Sequence, residues 1–172
     1  RNIGKKLAPK ATLNASTVTL KVKQSTSRLK VTGLAKGDSV KSWKSSNSKI
    51  FTVRGKSNGT CKITGKKRGT AKLQITLASG LKKTVKVKVQ TVAVKTSKIT
   101  VSKNVTVRKG KRVTLKPVVT PFTSRQKVTY TSSNKKIATV SSKGVVTGKK
   151  KGTVKITVKS GSKSVKVTVK VK

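Results

Sequence analysis

The 172-residue sequence has no histidine, a single acidic residue (Asp38), a single cysteine (Cys61) and only 2% aromatic residues. General acid–base catalysis near neutral pH uses a histidine or a positioned carboxylate. Metal sites need several carboxylates, imidazoles or thiolates close together. Asp38 and Cys61 cannot assemble either kind of site. The sequence therefore predicts no catalytic residue, no metal site and no bound cofactor, and it predicts that the protein is not an enzyme.

The sequence has one cysteine and no long apolar run, which limits the disulfides and the membrane-spanning segments that it can form. One cysteine allows no disulfide within this sequence, and a lone cysteine is more often a small buried core residue than a reactive thiol. An intermolecular disulfide through Cys61 is the alternative. No apolar run approaches the roughly 20 residues of a membrane-spanning helix, so we expect no transmembrane segment.

What the sequence does contain is an internal repeat. Trp43–Val53 recurs as Tyr130–Val140, and Thr64–Lys72 recurs as Thr147–Lys155. The first block is offset by 87 positions and the second by 83, so the copies differ by a short insertion after Val53. Two such units fill nearly the whole chain, which predicts a tandem array of two small domains.

The repeat also sets the expected domain boundaries. We assign residues 1–10 to an N-terminal junction segment or arm, 11–92 to the first domain and 93–172 to the second. Residues before Lys5 belong to an interdomain junction when the copies are aligned, so the natural polypeptide is expected to extend upstream. The connecting residues 91–96 contain no flexible Gly or Ser run, so we expect the domains to be joined end to end with limited freedom.

Alternation of apolar and polar residues is the dominant local pattern. Val85-Lys86-Val87-Lys88-Val89 and Val165–Val171 place apolar side chains on one strand face and Lys or Thr on the other. Gly, Asn and Ser clusters separate such segments at the spacing of a β-sandwich. The sequence therefore predicts an all-β fold of two immunoglobulin-like sandwiches, with hairpin turns at Ser160-Gly161-Ser162 and Ala78-Ser79-Gly80.

The predicted strands follow the same order in both copies. In the first they are Thr12–Asn14, Val18–Val22, Arg28–Thr32, Ser39–Lys44, Phe51–Val53, Thr60–Thr64, Gly69–Leu77 and Thr84–Gln90. In the second they are Ile99–Val101, Val105–Val107, Val113–Val119, Lys127–Thr131, Ala138–Val140, Val145–Gly148, Gly152–Val158 and Ser164–Val171.

The charge is strongly one-sided, with 45 Lys and Arg residues against one acid and a formal net charge of +44. Because the lysines are interleaved with strand-forming residues, a folded basic module is favoured over a disordered tail. Such a field attracts polyanions. The alternative is that lysine only keeps valine-rich strands soluble and protects their edges. The candidate polyanion contacts are the basic tripeptides found at the same place in both copies: Lys66, Lys67, Arg68, Lys149, Lys150 and Lys151.

Trp43 and Tyr130 stand at equivalent strand positions, and each is followed by a Ser/Asn-rich segment (45–47 and 132–134). Buried aromatic residues anchor the packing of two sheets, and we expect Ile50 with Val53 to cover Trp43. The Ser and Asn side chains can bond their own backbone and fix a turn. The alternative for Trp43 is an exposed sugar-stacking residue in an open groove.

The unit resembles the group 2 bacterial immunoglobulin-like domain, a module of intimin- and invasin-type adhesins and of Gram-positive secreted surface proteins. The second copy carries the pattern, at Ile99–Ser102, Val107–Gly110, Thr114-Leu115, Pro121, Tyr130–Asn134, Ile137–Val140, Gly144–Gly148 and Gly152–Thr157. The first copy departs from it, with Phe51 where Ala is usual and an insertion at Asn58–Ile63. Some surface domains of this kind form Lys–Asn isopeptide bonds beside a buried acid, for which only Asp38 is available.

Three functions are compatible with these features. The resemblance and the repeat favour a non-enzymatic structural or adhesion module, extracellular or at the bacterial cell surface. One form of such a module is a fibre subunit that self-assembles head to tail through residues 1–6 and the terminal strand Ser164–Val171. The charge favours a module that binds polyanions such as teichoic acid, acidic glycans or extracellular DNA. Intracellular DNA compaction has the charge but lacks the aromatic residues that stack on bases.

Overall fold

The computed structural model describes residues 8–172, and the chain divides into two compact units between Val94 and Lys95. Throughout the described residues the regular elements are β-strands, so the predicted all-β class is confirmed. Residues 1–7, which make up most of the predicted junction segment, lie outside the described residues.

Unit 1 contains two facing sheets and a small third one. A four-stranded sheet has the order β2-β9-β8-β5, a three-stranded sheet the order β3-β7-β6, and β1 pairs with β4. The β2–β9 pair is parallel. The strands are β1 (Thr12–Leu13), β2 (Thr17–Lys21), β3 (Ser25–Thr26), β4 (Val31–Thr32), β5 (Val40–Ser45), β6 (Phe51–Gly55), β7 (Cys61–Gly65), β8 (Gly69–Leu77) and β9 (Lys82–Gln90).

Unit 2 repeats this arrangement. Its sheets have the orders β11-β18-β17-β14, β12-β16-β15 and β10-β13, and its β11–β18 pair is parallel. The strands are β10 (Lys98–Thr100), β11 (Asn104–Val107), β12 (Arg112–Thr114), β13 (Val118–Thr120), β14 (Val128–Ser132), β15 (Ala138–Val140), β16 (Val145–Gly148), β17 (Gly152–Ser160) and β18 (Lys163–Val171). The sequence repeat is therefore a repeat of topology.

The alternating pattern decides which face of each strand is buried. In β9, Val85, Val87 and Val89 are buried while Lys86 and Lys88 are exposed, because successive side chains of a strand point to opposite faces. Apolar faces of this kind form a core in each unit. The largest fully buried side chains of unit 1 are Phe51, Leu20, Leu29, Ile63, Leu73, Ile75 and Leu77. The core of unit 2 contains Ile99, Val107, Leu115, Ala138, Val146, Val154, Ile156, Val158, Val167, Val169 and Val171.

Two of the predicted strands are wrong. Val113–Val119 is not one strand: β12 pairs with β16, whereas β13 pairs with β10. Pro117 lies between them, has no backbone N–H to donate, and the chain changes sheets there. Arg28–Thr32 is likewise reduced to β4, preceded by one isolated bridge between Lys30 and Thr60.

Residues with a positive φ lie at the turns, and the two predicted hairpins each contain one such glycine. The hairpin between β17 and β18 turns through Gly161 and Ser162, with Gly161 at φ 59°, and Gly80 takes φ 94° in the hairpin between β8 and β9. Lys23 has a positive φ of 72°, and its equivalent in unit 2 is Gly110 at 78°. Both residues donate a backbone hydrogen bond to a β-strand carbonyl, Lys23 to Gly65 (2.9 Å) and Gly110 to Gly148 (2.8 Å).

Candidate polyanion-binding surface

The two basic turns occupy equivalent places. Lys66–Arg68 connects β7 to β8, and Lys149–Lys151 connects β16 to β17. All six side chains are exposed. In each unit the turn therefore leads the chain from the three-stranded sheet into the four-stranded one and presents its charges to solvent.

The same backbone contacts hold both turns. The Ile50 carbonyl accepts hydrogen bonds from the N–H groups of Lys66 (2.7 Å) and Lys67 (3.2 Å). In unit 2 the Ile137 carbonyl accepts them from Lys149 (2.7 Å) and Lys150 (3.1 Å). Backbone hydrogen bonds to the carbonyls of equivalent isoleucines therefore hold the two basic turns in place.

A glycine closes each basic turn for a steric reason. A Cβ on Gly69 would lie 2.8 Å from Ile50 Cδ1, and one on Gly152 would lie 3.0 Å from Ile137 Cδ1. A Cβ contact below 3.0 Å is essentially never seen in proteins and one of 3.0 Å is unusually tight, so the isoleucine side chain would have to shift in both units. At both glycines the isoleucine side chain is what a Cβ would meet.

The Ser/Asn segments are structural, as predicted. Asn47 Oδ1 accepts a hydrogen bond from the Lys49 N–H (3.0 Å), and Ser46 Oγ accepts one from the Lys72 N–H (2.8 Å). The same bonds recur from Lys136 to Asn134 and from Lys155 to Ser133, each at 3.0 Å. These side chains fix the turn and tie it to the neighbouring strand.

Trp43 and Tyr130 pack across the sandwich onto glycine. A Cβ on Gly55 would overlap the indole of Trp43, and one on Gly144 would lie 2.8 Å from Tyr130 Cζ. Trp43 also donates from Nε1 to the Lys56 carbonyl (3.2 Å). The Ile50 side chain lies against Gly69. With Gly55 against it and its N–H bonded, the half-buried indole is a packing residue and not an open sugar platform.

The comparison with protein families agrees with this geometry. Residues 93–171 match the family model of the bacterial Ig-like domain (group 2). Unit 2 is a group 2 bacterial Ig-like domain. The resemblance seen in the sequence is therefore confirmed, and it belongs to the unit with the complete Tyr130–Asn134 and Gly144–Gly148 segments.

No curated protein matches this chain. Several solved structures are similar to it. The chain is 25% identical to domains 4 and 5 of the S-layer protein SbsC, covering 96% of this chain and 98% of that one with a TM-score of 0.45. In a longer SbsC structure it is 27% identical over 84% of this chain and 23% of that one, with a TM-score of 0.43. A GH10 xylanase from termite gut that contains a bacterial Ig-like domain is 27% identical over 40% of this chain and 18% of that one, with a TM-score of 0.35.

Unit 1 departs from the group 2 Ig-like pattern in its core. Phe51 is fully buried where unit 2 has Ala138. Cys61 is 5% exposed, and its Sγ donates a weak hydrogen bond to the Leu29 carbonyl at 3.5 Å. Burial raises the pKa of the Cys61 thiol to about 11. Because the thiolate is the reactive form, Cys61 is a core residue and is poorly placed for a bridge to another chain.

Asp38, the only acidic residue, serves as an acceptor between two loops. One carboxylate oxygen accepts from the N–H groups of Ser39 (2.9 Å) and Ser79 (3.1 Å), and the other accepts from Ser79 Oγ (2.6 Å). The Ser79 hydroxyl, followed by the two N–H groups, lowers the pKa of Asp38. The carboxylate therefore bonds to serines and not to a Lys–Asn pair of the isopeptide kind.

No three metal-ligating side chains cluster anywhere within residues 8–172. Over the same range no helix is long and apolar enough to cross a membrane.

The outward lysines of the four-stranded sheets, such as Lys72 and Lys155, are exposed as well, and no sequence motif marks them as contact residues. The Val/Lys alternation places them outside the core. Their arrangement relative to one another depends on strand register, which no sequence pattern displays.

Proposed function

We propose that the chain is a non-enzymatic structural and adhesion module of an extracellular or cell-surface bacterial protein. The observation that carries the proposal is the tandem repeat of one β-sandwich topology, with a group 2 Ig-like domain as its second unit. Small tandem domains with hydrophobic cores and turns fixed by backbone hydrogen bonds are suited to act as spacers and display surfaces.

Protease treatment of intact cells of the source bacterium tests this proposal. Peptides from residues 8–172 should be released before any cytoplasmic marker protein appears. Release that requires cell lysis would contradict a surface location and favour the intracellular, DNA-compacting alternative.

A second function, polyanion binding, is supported by the paired basic turns. Six exposed cationic side chains stand at equivalent positions of two units, and two equivalent sites on one chain raise avidity without new contacts. Teichoic acid, acidic glycans and extracellular DNA all carry the required charge.

Replacing Lys66, Lys67, Arg68, Lys149, Lys150 and Lys151 together with glutamine tests this function. For nucleic acid, each neutralised phosphate contributes about −0.7 to −0.9 to the slope of log affinity against log salt, so the variant should have a flatter slope than the unmodified chain. An unchanged slope would show that the turns are not the contact surface.

Head-to-tail assembly of copies of this chain is a proposal of the same kind. Strand addition supplies affinity through main-chain hydrogen bonds, and head-to-tail contacts that do not close propagate as filaments. Light scattering of the intact chain against a chain lacking residues 1–10, at low and high salt, tests assembly. A monomer under every condition would rule the fibre out.

A further inference from the structure

Lysines are concentrated on one outward face of each unit, that of the four-stranded sheet. In unit 2 this face carries Lys155, Lys159, Lys166 and Lys170, whereas the strands of the three-stranded sheet present Arg112 as their basic residue. In unit 1 the corresponding sets are Lys21, Lys44, Lys72, Lys82, Lys86 and Lys88 against Arg54 and Lys62. Both units therefore have a more basic side.

Strand register spaces these lysines regularly in unit 2. Each lysine faces a hydroxyl residue on the neighbouring strand: Lys170 faces Thr153, Lys155 faces Thr168, Lys166 faces Thr157, and Lys159 faces Ser164. Because a two-residue step along a strand is about 6.8 Å, one lysine occurs at every step of about 7 Å, alternately on β17 and β18. Lys151 of the basic turn stands two residues before Thr153 and adds a further step in sequence. We call this series, Lys151, Lys170, Lys155, Lys166 and Lys159, the lysine ladder of unit 2.

Unit 1 reaches the same spacing with different residues. Lys88 faces Thr70, Lys86 faces Lys72, and Lys82 faces Thr76. At the remaining step Gln74 faces Thr84 on β9, and Lys44 faces Gln74 from β5. A shallow depression of about 410 Å³ lies at this step, lined by Lys44, Lys72, Ser45, Ser46, Gln74 and Thr84. Every two-residue step along β8 thus has a cation on the sheet face, as in unit 2.

Such a face favours an external counter-charge. Like charges directly opposite each other on neighbouring strands, as at Lys72 and Lys86, are destabilising. The one acidic side chain of the chain, Asp38, is bonded to Ser39 and Ser79 and compensates none of these lysines. An anionic group bound at each step would relieve this repulsion and would carry hydrogen bonds from the adjacent threonine hydroxyls.

The same face argues against a nucleic acid as the occupant. Single strands are held by bases stacked on aromatic side chains as well as by charge. Trp43 and Tyr130 pack inward on Gly55 and Gly144, so they are turned away from the lysines. The face fits a flexible polymer that has charged groups and no bases.

We define the lysine ladder of unit 1 as Lys88, Lys86, Lys72, Lys44 and Lys82. We propose that the lysine ladder of each unit is a binding track for a linear phosphodiester polymer of the poly(glycerol phosphate) type, which lies along β17 in unit 2 and along β8 in unit 1. The proposal rests on polyanion binding as a function and specifies the surface and the spacing of the charges. The basic turns form one end of the track.

Exchanging two residues of the full chain without changing its net charge distinguishes binding at the lysine ladder from binding by diffuse charge. Lys166→Thr combined with Thr168→Lys keeps the net charge, places two lysines opposite each other at the Lys155 step and leaves the Thr157 step without a cation. The matched control, Arg112→Thr combined with Thr114→Arg, makes the same kind of exchange on the other sheet. Binding of fluorescently labelled poly(glycerol phosphate) is measured over a series of salt concentrations.

The ladder predicts that the Lys166/Thr168 exchange lowers affinity several-fold and flattens the salt slope by about 0.7–0.9, while the Arg112/Thr114 exchange leaves both unchanged. Should the opposed lysines unfold unit 2, as judged by circular dichroism, Lys166→Thr alone against Lys163→Thr, an exposed lysine outside the ladder, gives the same comparison.

Three results would overturn the proposal. Equal binding by the rearranged and unmodified chains would show that charge acts diffusely, although polyanion binding itself would stand. Tighter binding of single-stranded DNA than of poly(glycerol phosphate) at equal salt would show that the occupant is wrong. Absence of binding to either polymer at low salt would overturn polyanion binding as a function, and the ladder with it.

Discussion

Replacing Gly55 with alanine tests how the two sheets of unit 1 pack. The new Cβ would overlap Trp43 at Cγ, Cδ1 and Nε1, whereas non-bonded carbons normally lie about 3.5–4.0 Å apart. The indole would have to move and would lose its hydrogen bond to the Lys56 carbonyl (3.2 Å). Gly55 does not have a positive φ, so alanine adds no backbone strain. Overpacking of about 1–3 kcal/mol and a lost hydrogen bond of about 1 kcal/mol predict a fall of about 2–4 kcal/mol in the free energy of unfolding.

Urea unfolding followed by tryptophan fluorescence measures this change. Trp43 is the only tryptophan of the sequence, so the signal reports unit 1 alone. With a urea dependence of about 2 kcal/mol/M, the middle of the usual range for small proteins, the transition midpoint should fall by about 1–2 M. Gly80→Ala is the control, because its Cβ would meet nothing within 4 Å and only its positive φ would cost about 1 kcal/mol.

A double-mutant comparison identifies the cause. In a Trp43→Ala background, followed by circular dichroism, alanine at position 55 has no indole to displace, so its cost should fall below about 1 kcal/mol. An equal cost in both backgrounds would refute the packing of Trp43 on Gly55.

Four further substitutions probe turns and titrating groups. Lys23→Gly should stabilise unit 1 by up to about 1 kcal/mol and Gly110→Ala should destabilise unit 2 by a similar amount, measured by thermal unfolding. The pKa of Cys61 is raised to about 11, so its contribution to stability should be complete below about pH 8.5 and lost as pH rises towards 11, and Cys61→Val should remove that loss in melting curves. The pKa of Asp38 is lowered, so its contribution should be present above about pH 4 and lost on further acidification, and Asp38→Asn should remove this acid dependence.

Features fixed by neighbouring residues were predictable from the sequence. Asn47 and Asn134 bond the backbone two residues on, which is a local property of asparagine. Gly161 in the last hairpin and the Val/Lys alternation of β9 and β18 are local in the same sense. The repeat then extended each assignment from one unit to the other.

Features that depend on partners distant in sequence were not predictable. Val113–Val119 reads as one strand because its residues favour β-structure, but its two halves pair with strands of different sheets on either side of Pro117. Trp43 lies against Gly55, which belongs to the opposite sheet, and no local sequence pattern indicates that contact. The lysine ladder has the same origin, because alternation alone places Lys155 and Lys166 outside the core while register places them one step apart.

The basic turns were predictable from the sequence only in part. Lys66–Arg68 and Lys149–Lys151 were found from the repeat, and the structure places all six side chains on the surface. Their role in binding stays a prediction, because exposure and charge describe the surface without a ligand.

The central claim is that this chain binds its partners through the charge of its folded surface. A salt titration of the unmodified chain with a polyanion and with a neutral glycan tests this claim most directly. Affinity for poly(glycerol phosphate) should be micromolar or better at low salt and fall steeply as salt rises, since counterion release drives such binding, while a neutral dextran should not bind. Binding to the glycan with equal strength, or a polyanion affinity that does not change with salt, would contradict the account.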